Sequence, residues 1–158
     1  MHAAYGLDLS GPVFSAELGR SQWNSADGQV AGGWRFVESR VWLTLLGGVE
    51  AVSQSAPSIK PVGSVDFWWE PSADWMASAQ VQAATDYVSW RVAVGLKAQE
   101  DWPWIGPEAG SSASAPRLGA HATGLELPGG LEARVSAGIS WRRDYVGPYG
   151  ELSVWRRF

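Results

Sequence analysis

Three carboxylates of this chain have the residue type and placement for acid–base chemistry: Glu50, Asp66 and Glu108. Two carboxyl groups on either side of a glycosidic bond can hydrolyse it, one acting as the acid and the other as base or nucleophile. The alternative is that these carboxylates form salt bridges with arginines inside a narrow protein that offers no cleft for a polymer. We favour salt bridges, because charges removed from water require partners.

His121 is the other side chain that could take part in catalysis. A histidine can act as the general base for a serine nucleophile, and Ser136 and Ser140 are the serines available for that role. All three residues occupy polar positions of their segments. We therefore expect a hydrogen-bonded interior histidine, and we predict no catalytic residue.

The composition excludes several kinds of site. The chain has 158 residues and no cysteine, so disulfides, thiolate zinc sites and iron–sulfur clusters are excluded. Two histidines leave little for a histidine-based metal site, and the net charge of −4 gives no basic surface for nucleic acid. We expect no metal, no cofactor and no nucleic-acid partner.

Alternation of apolar and polar residues runs through almost the whole chain and indicates β-strands. Ten strands are predicted, at 4–19, 28–37, 41–54, 59–69, 75–85, 88–97, 105–112, 117–127, 131–141 and 149–158. The first contains Ser10, Gly11 and Pro12, where the apolar phase shifts. A bulge or a short hairpin is expected there, so eight or twelve strands are alternatives.

The segments between the predicted strands are short and rich in Gly, Pro, Asp and Ser, as turns are. No segment shows a helical period and no linker divides the chain, so residues 1–158 are predicted to form one domain. Antiparallel strands joined by short turns form an up-and-down meander, which removes its edges by closing into a barrel. The predicted fold is therefore all-β, a single antiparallel up-and-down barrel.

The polar face of the predicted barrel is expected to point inward, with the apolar face against lipid. Only 18% of the residues are charged, which is low for a water-facing surface. A charge facing lipid near the midplane would cost about 2–4 kcal/mol. This predicts a transmembrane β-barrel with a polar network in its lumen, formed by Arg35, Glu50, Asp66, Arg91, Glu108, Arg117, His121, Glu132 and Arg134.

The 11 tryptophans concentrate near the predicted strand ends. Aromatic girdles at both interfaces are typical of membrane barrels. At the rim where the chain ends, the predicted girdle is Trp34, Trp42, Trp69, Trp75, Trp102, Trp104, Trp155 and Phe158; at the other rim lie Trp23, Trp90 and Trp141 with Tyr87, Tyr145 and Tyr149. The alternation places Trp68 on the inner face, where its ring could stack on a sugar.

The first residues, Met1, His2 and Ala3, do not form a signal peptide, because they lack a basic region and an apolar core. An outer-membrane protein requires such a segment for export. Either the segment has been removed or the membrane interpretation is wrong.

Several short sequence motifs, in the order in which they occur along the chain, resemble the cellulose biosynthesis protein BcsS family over residues 28–158. They are Trp69-Glu70-Pro71 followed by Trp75-Met76, then Gly106-Pro107-Glu108, the run 117–125, Ser136-Ala137-Gly138 and the run 147–152. The resemblance implies a bacterial outer-membrane β-barrel associated with cellulose synthase gene clusters. None of these phrases is a catalytic motif.

Three functions follow from these observations. The favoured one is a non-enzymatic accessory of cellulose biosynthesis and secretion in the bacterial outer membrane, with membrane lipid and cellulose or cellulose-secretion components as partners. The second is a soluble, lipocalin-like barrel that binds a small ligand. The third and least favoured is an outer-membrane barrel hydrolase.

Overall fold

The structure, a computed structural model, describes residues 10–21, 26–53, 58–112, 115–142 and 145–157. Its ten strands are β1 (Gly11–Ser21), β2 (Ala26–Glu38), β3 (Val41–Ser53), β4 (Ser58–Trp69), β5 (Trp75–Ala84), β6 (Val88–Leu96), β7 (Trp104–Ser112), β8 (Ala115–Leu127), β9 (Leu131–Arg142) and β10 (Tyr145–Arg157). Each strand pairs antiparallel with its neighbours in the chain, and β1 pairs with β10 to close the barrel. The predicted all-β up-and-down barrel of ten strands is confirmed.

Most strand boundaries differ from the prediction by one or two residues, and two strand starts differ by more. β1 begins at Gly11, and the residues before Ser10 lie outside the described ranges. β10 begins at Tyr145 because Gly147 and Pro148, which look like a turn in the sequence, continue the strand and pair with β9. A proline is tolerated in a ladder where its missing N–H is not needed.

The outer surface of the barrel is apolar, and it carries large exposed apolar side chains on all ten strands, such as Val30, Leu45, Val92 and Leu118. Among the side chains that the structure describes, the exposed charged ones all lie in turns or within one residue of a strand end. They are Glu38, Arg40, Asp74, Asp86, Glu100, Asp101 and Glu126. Strands of 9–13 residues are long enough to cross a bilayer when tilted. The outer face is that of a transmembrane barrel.

The inner face has the opposite character. Its buried side chains include Glu108, Arg134, Arg91 and His121. A lipocalin-like barrel requires the reverse arrangement, with apolar side chains inside and polar ones facing water. The soluble alternative is therefore not supported by the distribution of side chains.

The turns fall into two sets at opposite ends of the barrel. The end that holds the start of β1 and the finish of β10, here called the terminal end, also holds the turns at 39–40, 70–74, 97–103 and 128–130. Ser39 and Gly129 adopt positive φ angles of 55° and 82° there, as tight hairpin turns require. No helix in the described parts of the chain is long and apolar enough to span a membrane.

Candidate functional site

All nine residues predicted for the lumen network project from the inner positions of their strands. Glu50, Arg91, Glu108, His121 and Arg134 are buried, and Arg35, Asp66, Arg117 and Glu132 are half-buried. The structure brings four of the nine together in the middle of the barrel and distributes the others among separate contacts.

Glu108 accepts three hydrogen bonds and is almost completely buried, with 2% of its surface exposed. Its Oε2 accepts from Arg134 Nη2 at 2.5 Å and from Ser136 Oγ at 2.9 Å. Its Oε1 accepts from the Tyr149 hydroxyl at 2.7 Å. Because both oxygens are occupied, Glu108 is held as an ion-pair partner.

Glu151 lies between two arginines. It pairs with Arg91 through one carboxylate oxygen and with Arg117 Nη1 through the other, the latter at 2.6 Å. The Arg117 guanidinium also lies 5.2 Å from the centre of the Tyr149 ring, which links the two carboxylates. We call Arg91, Glu108, Arg117, Arg134, Tyr149 and Glu151 the central cluster. It has three cations and two anions, drawn from β6, β7, β8, β9 and β10.

Tyr149 and Glu151 are the two members of the central cluster that were absent from the predicted network. Tyr149 was assigned to the rim by its position near a predicted strand end, yet it occupies an inner position of β10 together with Glu151 and Ser153. Alternation along the predicted strand 149–158 already places Glu151 on the polar face, and Tyr149 has the same phase as Glu151. The ring fits because the facing residues Gly119 and Gly138 have no side chains: a Cβ on either would collide with Tyr149.

The three carboxylates considered for glycan cleavage do not share a site. Glu50 accepts a hydrogen bond from the Tyr87 hydroxyl at 2.7 Å, near the end of the barrel opposite the terminal end. Asp66 accepts one from Ser64 at 3.3 Å. Each carboxylate therefore has its own local partners, and Glu108 is saturated within the central cluster.

His121 replaces a backbone hydrogen bond that is missing between β6 and β7. Pro107 lies opposite Val94 in the register of β6 and β7 and has no N–H to give to the Val94 carbonyl. His121, on β8, places Nε2 at 3.1 Å from that carbonyl oxygen, across Gly106, which has no side chain to obstruct it. Since Nε2 must donate to a carbonyl, Nδ1 accepts from the Thr123 hydroxyl at 2.7 Å.

Neither serine considered as a nucleophile is arranged for that role. The Ser136 hydroxyl donates to Glu108, and the Ser140 hydroxyl donates to the Gly147 carbonyl at 3.4 Å. Both ring nitrogens of His121 are engaged with other groups. These contacts describe a structural histidine.

The tryptophans predicted as a girdle divide into two sets. Trp34, Trp69, Trp75 and Trp102 are exposed near the terminal end, and Trp90 and Trp141 are exposed nearer the other end. Trp42, Trp104 and Trp155 instead project into the lumen, because they occupy the inner phase of their strands. For these three the structure corrects the prediction. Phe158 and Trp23 lie outside the described residues, and Tyr87 projects inward to Glu50.

The inward tryptophans surround a cavity of about 120 Å³ in the half of the lumen nearest the terminal end, here called the terminal cavity. Trp68, predicted to face inward, lines it: its ring stacks on Trp42 at 5.5 Å and meets Trp104 edge to face at 5.3 Å. Trp155 also lines it and donates from Nε1 to Glu132 at 3.2 Å. Polar lining residues include Ser15, Thr44, Asp66, Ser78, Gln80 and Ser153.

No group of three or more metal-ligating side chains occurs within the described ranges. The two largest features of the described lumen are therefore the central cluster and the terminal cavity next to it. The central cluster can stabilise the barrel by joining five of its strands across the lumen. The terminal cavity has the combination of aromatic rings and polar groups that is typical of small-molecule sites.

Comparison with known proteins gives a family and a fold. Residues 14–158 match the family described as cellulose biosynthesis protein BcsS, which confirms the resemblance and extends it into β1. The barrel is similar to the KdgM porin in complex with disordered oligogalacturonate, with a TM-score of 0.57 and 13% identity over 96% of this chain and 86% of that one. A weaker likeness is to the N-terminal β-barrel domain of Pseudomonas aeruginosa OprF, with a TM-score of 0.37 and 10% identity over 93% and 98%. No curated protein matches the chain.

Proposed function

The chain belongs to the cellulose biosynthesis protein BcsS family, and on this basis we propose that it is a non-enzymatic accessory of cellulose production in the bacterial outer membrane. The observation that carries the proposal is a lipid-facing outer surface around a lumen that contains buried ion pairs. Such a barrel is anchored in a membrane without opening a path through it.

The central cluster argues against a conduit for the polymer. The Glu108 ion pair with Arg134 is almost completely buried, and Glu151 is paired with two arginines. Removing one member of a buried pair costs about 3–5 kcal/mol because the other charge is left uncompensated. A glucan passing through would have to separate these pairs. We therefore assign the protein an anchoring or polymer-contacting role at the membrane.

The engagement of the polar groups supports a non-enzymatic role. Glu108 has no free carboxylate oxygen, and both nitrogens of His121 hold structural partners. A general acid or base needs access to the proton it transfers. In this lumen Glu108 and His121, the groups best suited to acid–base chemistry, are each held by hydrogen bonds to structural partners.

Deletion of the gene in a cellulose-producing strain tests the proposal. We expect secreted cellulose to fall and to be restored by the wild-type gene, while glucan synthesis in isolated inner membranes is unchanged. The protein should fractionate with the outer membrane. Unchanged secretion, or a folded monomer that needs no detergent, would contradict the proposal.

Two measurements on the purified barrel address the alternatives. In planar bilayers we expect no conductance steps of porin size, because the central cluster fills the lumen. Incubation with cello-oligosaccharides should release no shorter sugars. Porin-like conductance would contradict the closed lumen, and sugar release that is lost in Glu108→Gln would establish the hydrolase instead.

A further inference from the structure

We propose that the terminal cavity binds the free end of a β-linked glucan chain. The choice of glucan rests on the proposed function, whereas the preference for a neutral sugar comes from the cavity itself. Four features of the cavity support the proposal: unpaired donors, aromatic rings, charge balance and a closed inner end.

Two buried donors in the cavity wall have no protein partner. Trp104 Nε1 and Ser153 Oγ make no hydrogen bond to any described residue, and the two residues are only 9% and 4% exposed. Both line the terminal cavity. Buried polar groups are almost always paired, so these two require water or a ligand in the cavity. The hydroxyl oxygens of a sugar are suitable acceptors for both.

The aromatic lining matches the shape of β-glucose. Its hydroxyls are equatorial, so both faces of the ring are apolar C–H surfaces that can pack on indole rings. Trp42 and Trp68 form a parallel pair with an interplanar angle of 9°, and Trp104 closes one side of it. Asp66 and Gln80 also line the cavity and supply polar partners for hydroxyls.

The charges around the cavity favour a neutral ligand. Three of the described arginines line it. Arg91 and Arg134 are paired with Glu151 and Glu108, and Arg35 donates to the Thr44 hydroxyl and interacts electrostatically with Asp66. Two carboxylates, Asp66 and Glu132, also line it. An anionic sugar would be repelled by these carboxylates while each lining arginine already has a partner, whereas a neutral sugar would meet no such repulsion.

The dimensions favour a chain end over the middle of a chain. A cavity of about 120 Å³ holds a few waters, which is of the order of one sugar ring and far less than several linked rings. Arg91 and Arg134 belong both to the cavity lining and to the central cluster, so the inner end is closed. A polymer cannot pass through, and only its terminal unit can enter.

Titration of the purified, detergent-solubilised barrel with cellotriose, followed by tryptophan fluorescence or calorimetry, tests the proposal. Trp104→Phe removes the Nε1 donor and keeps an aromatic ring, and Ser153→Ala removes the other donor. Each should raise Kd about 3- to 10-fold, as expected for one neutral hydrogen bond. Trp102→Phe, on the outer surface, is the matched control and should bind as the wild type does.

Chain length and ring stereochemistry test the remaining features. Cellotriose and cellohexaose should have equal Kd per chain, because only one end enters, and β-1,4-galactotriose, whose rings carry an axial oxygen at C4, should bind at least about tenfold more weakly. Absence of cellotriose binding by the wild type, equal binding of β-1,4-galactotriose, or wild-type affinity in both donor variants would overturn the proposal. If Trp104→Phe does not fold, Ser153→Ala provides the test. None of these binding measurements depends on cellulose secretion. The gene deletion tests the proposed function, and the titrations test the binding site, so the failure of one can be distinguished from the failure of the other.

Discussion

Replacement of His121 by leucine should destabilise the barrel because it leaves a backbone carbonyl of the sheet without a hydrogen-bond donor. The Val94 carbonyl would lose its donor, since Pro107 has no N–H, and the Thr123 hydroxyl would lose its acceptor. A buried group left unpaired costs about 1–3 kcal/mol. The Thr123 hydroxyl can rotate about its C–O bond, whereas the Val94 carbonyl is fixed by the backbone, so we expect a total loss of about 2–4 kcal/mol in unfolding free energy.

A second substitution makes this prediction specific. Pro107→Ala restores an N–H opposite Val94 and should by itself change stability by less than about 1 kcal/mol. In that background the ladder itself can satisfy the Val94 carbonyl. His121→Leu should then cost about 1–2 kcal/mol less than it does in the wild type. The Pro107 side chain is exposed on the outer surface, so its loss removes little packing inside the barrel.

Urea unfolding in lipid vesicles, followed by tryptophan fluorescence, measures these differences. Pro116→Ala is the matched control, because Pro116 is also an exposed strand proline but does not face Val94. It should show no coupling to His121→Leu. A coupling below about 0.5 kcal/mol for Pro107→Ala, or an equal coupling for Pro116→Ala, would refute the role assigned to His121.

Three further substitutions test other parts of the barrel by the same unfolding assay. Glu108→Gln keeps the side-chain volume but leaves the Arg134 cation uncompensated, so it should lower the unfolding free energy by about 3–5 kcal/mol. Glu126→Gln, at the exposed end of β8, is the control and should change it by less than about 0.5 kcal/mol. Equal effects of the two substitutions would contradict a buried ion pair. Val92→Arg places a charge on the lipid-facing surface and should lower the unfolding free energy by about 2–4 kcal/mol, much more than Val92→Ala does. An effect no larger than that of Val92→Ala would mean that this surface is in contact with water. Gly138→Ala adds a Cβ that collides with the backbone of β8 and should lower the unfolding free energy by about 1–3 kcal/mol. Gly150→Ala is the control: its Cβ would have no atom within 4 Å, so it should be tolerated. A larger loss of stability in Gly150→Ala than in Gly138→Ala would contradict the packing around Tyr149.

The sequence predicted the barrel well because a strand has only two faces. Once Val92 and Val94 are assigned outward, Arg91 must point inward, and the same alternation placed all nine predicted network residues on the inner face. The same rule applied to Trp42 and Trp155 would have placed them inside. They were assigned to the rim by their distance from a strand end, and that distance does not determine which face a residue occupies.

The pairing inside the lumen could not be predicted from one sequence. Contacts such as Arg117 with Glu151 join strands that are not neighbours, and they depend on the stagger and diameter of the closed barrel. The role of His121 depends on a register that places Pro107 opposite Val94. Alternation identifies the face of a residue but not the residue that it meets across the lumen.

The β1–β10 ladder has a consequence for how the chain assembles. Nine of the ten strand pairings join neighbours in the chain, whereas this one joins Val13 to Arg157. Joining segments about 140 residues apart costs about 4 kcal/mol of loop-closure entropy, since that entropy grows with the logarithm of length. Until the ladder forms, two rows of unpaired backbone groups would face hydrocarbon, each group costing several kcal/mol. We therefore expect closure of this seam to be a late step of assembly, during which the unpaired edges of β1 and β10 leave the sheet prone to aggregation.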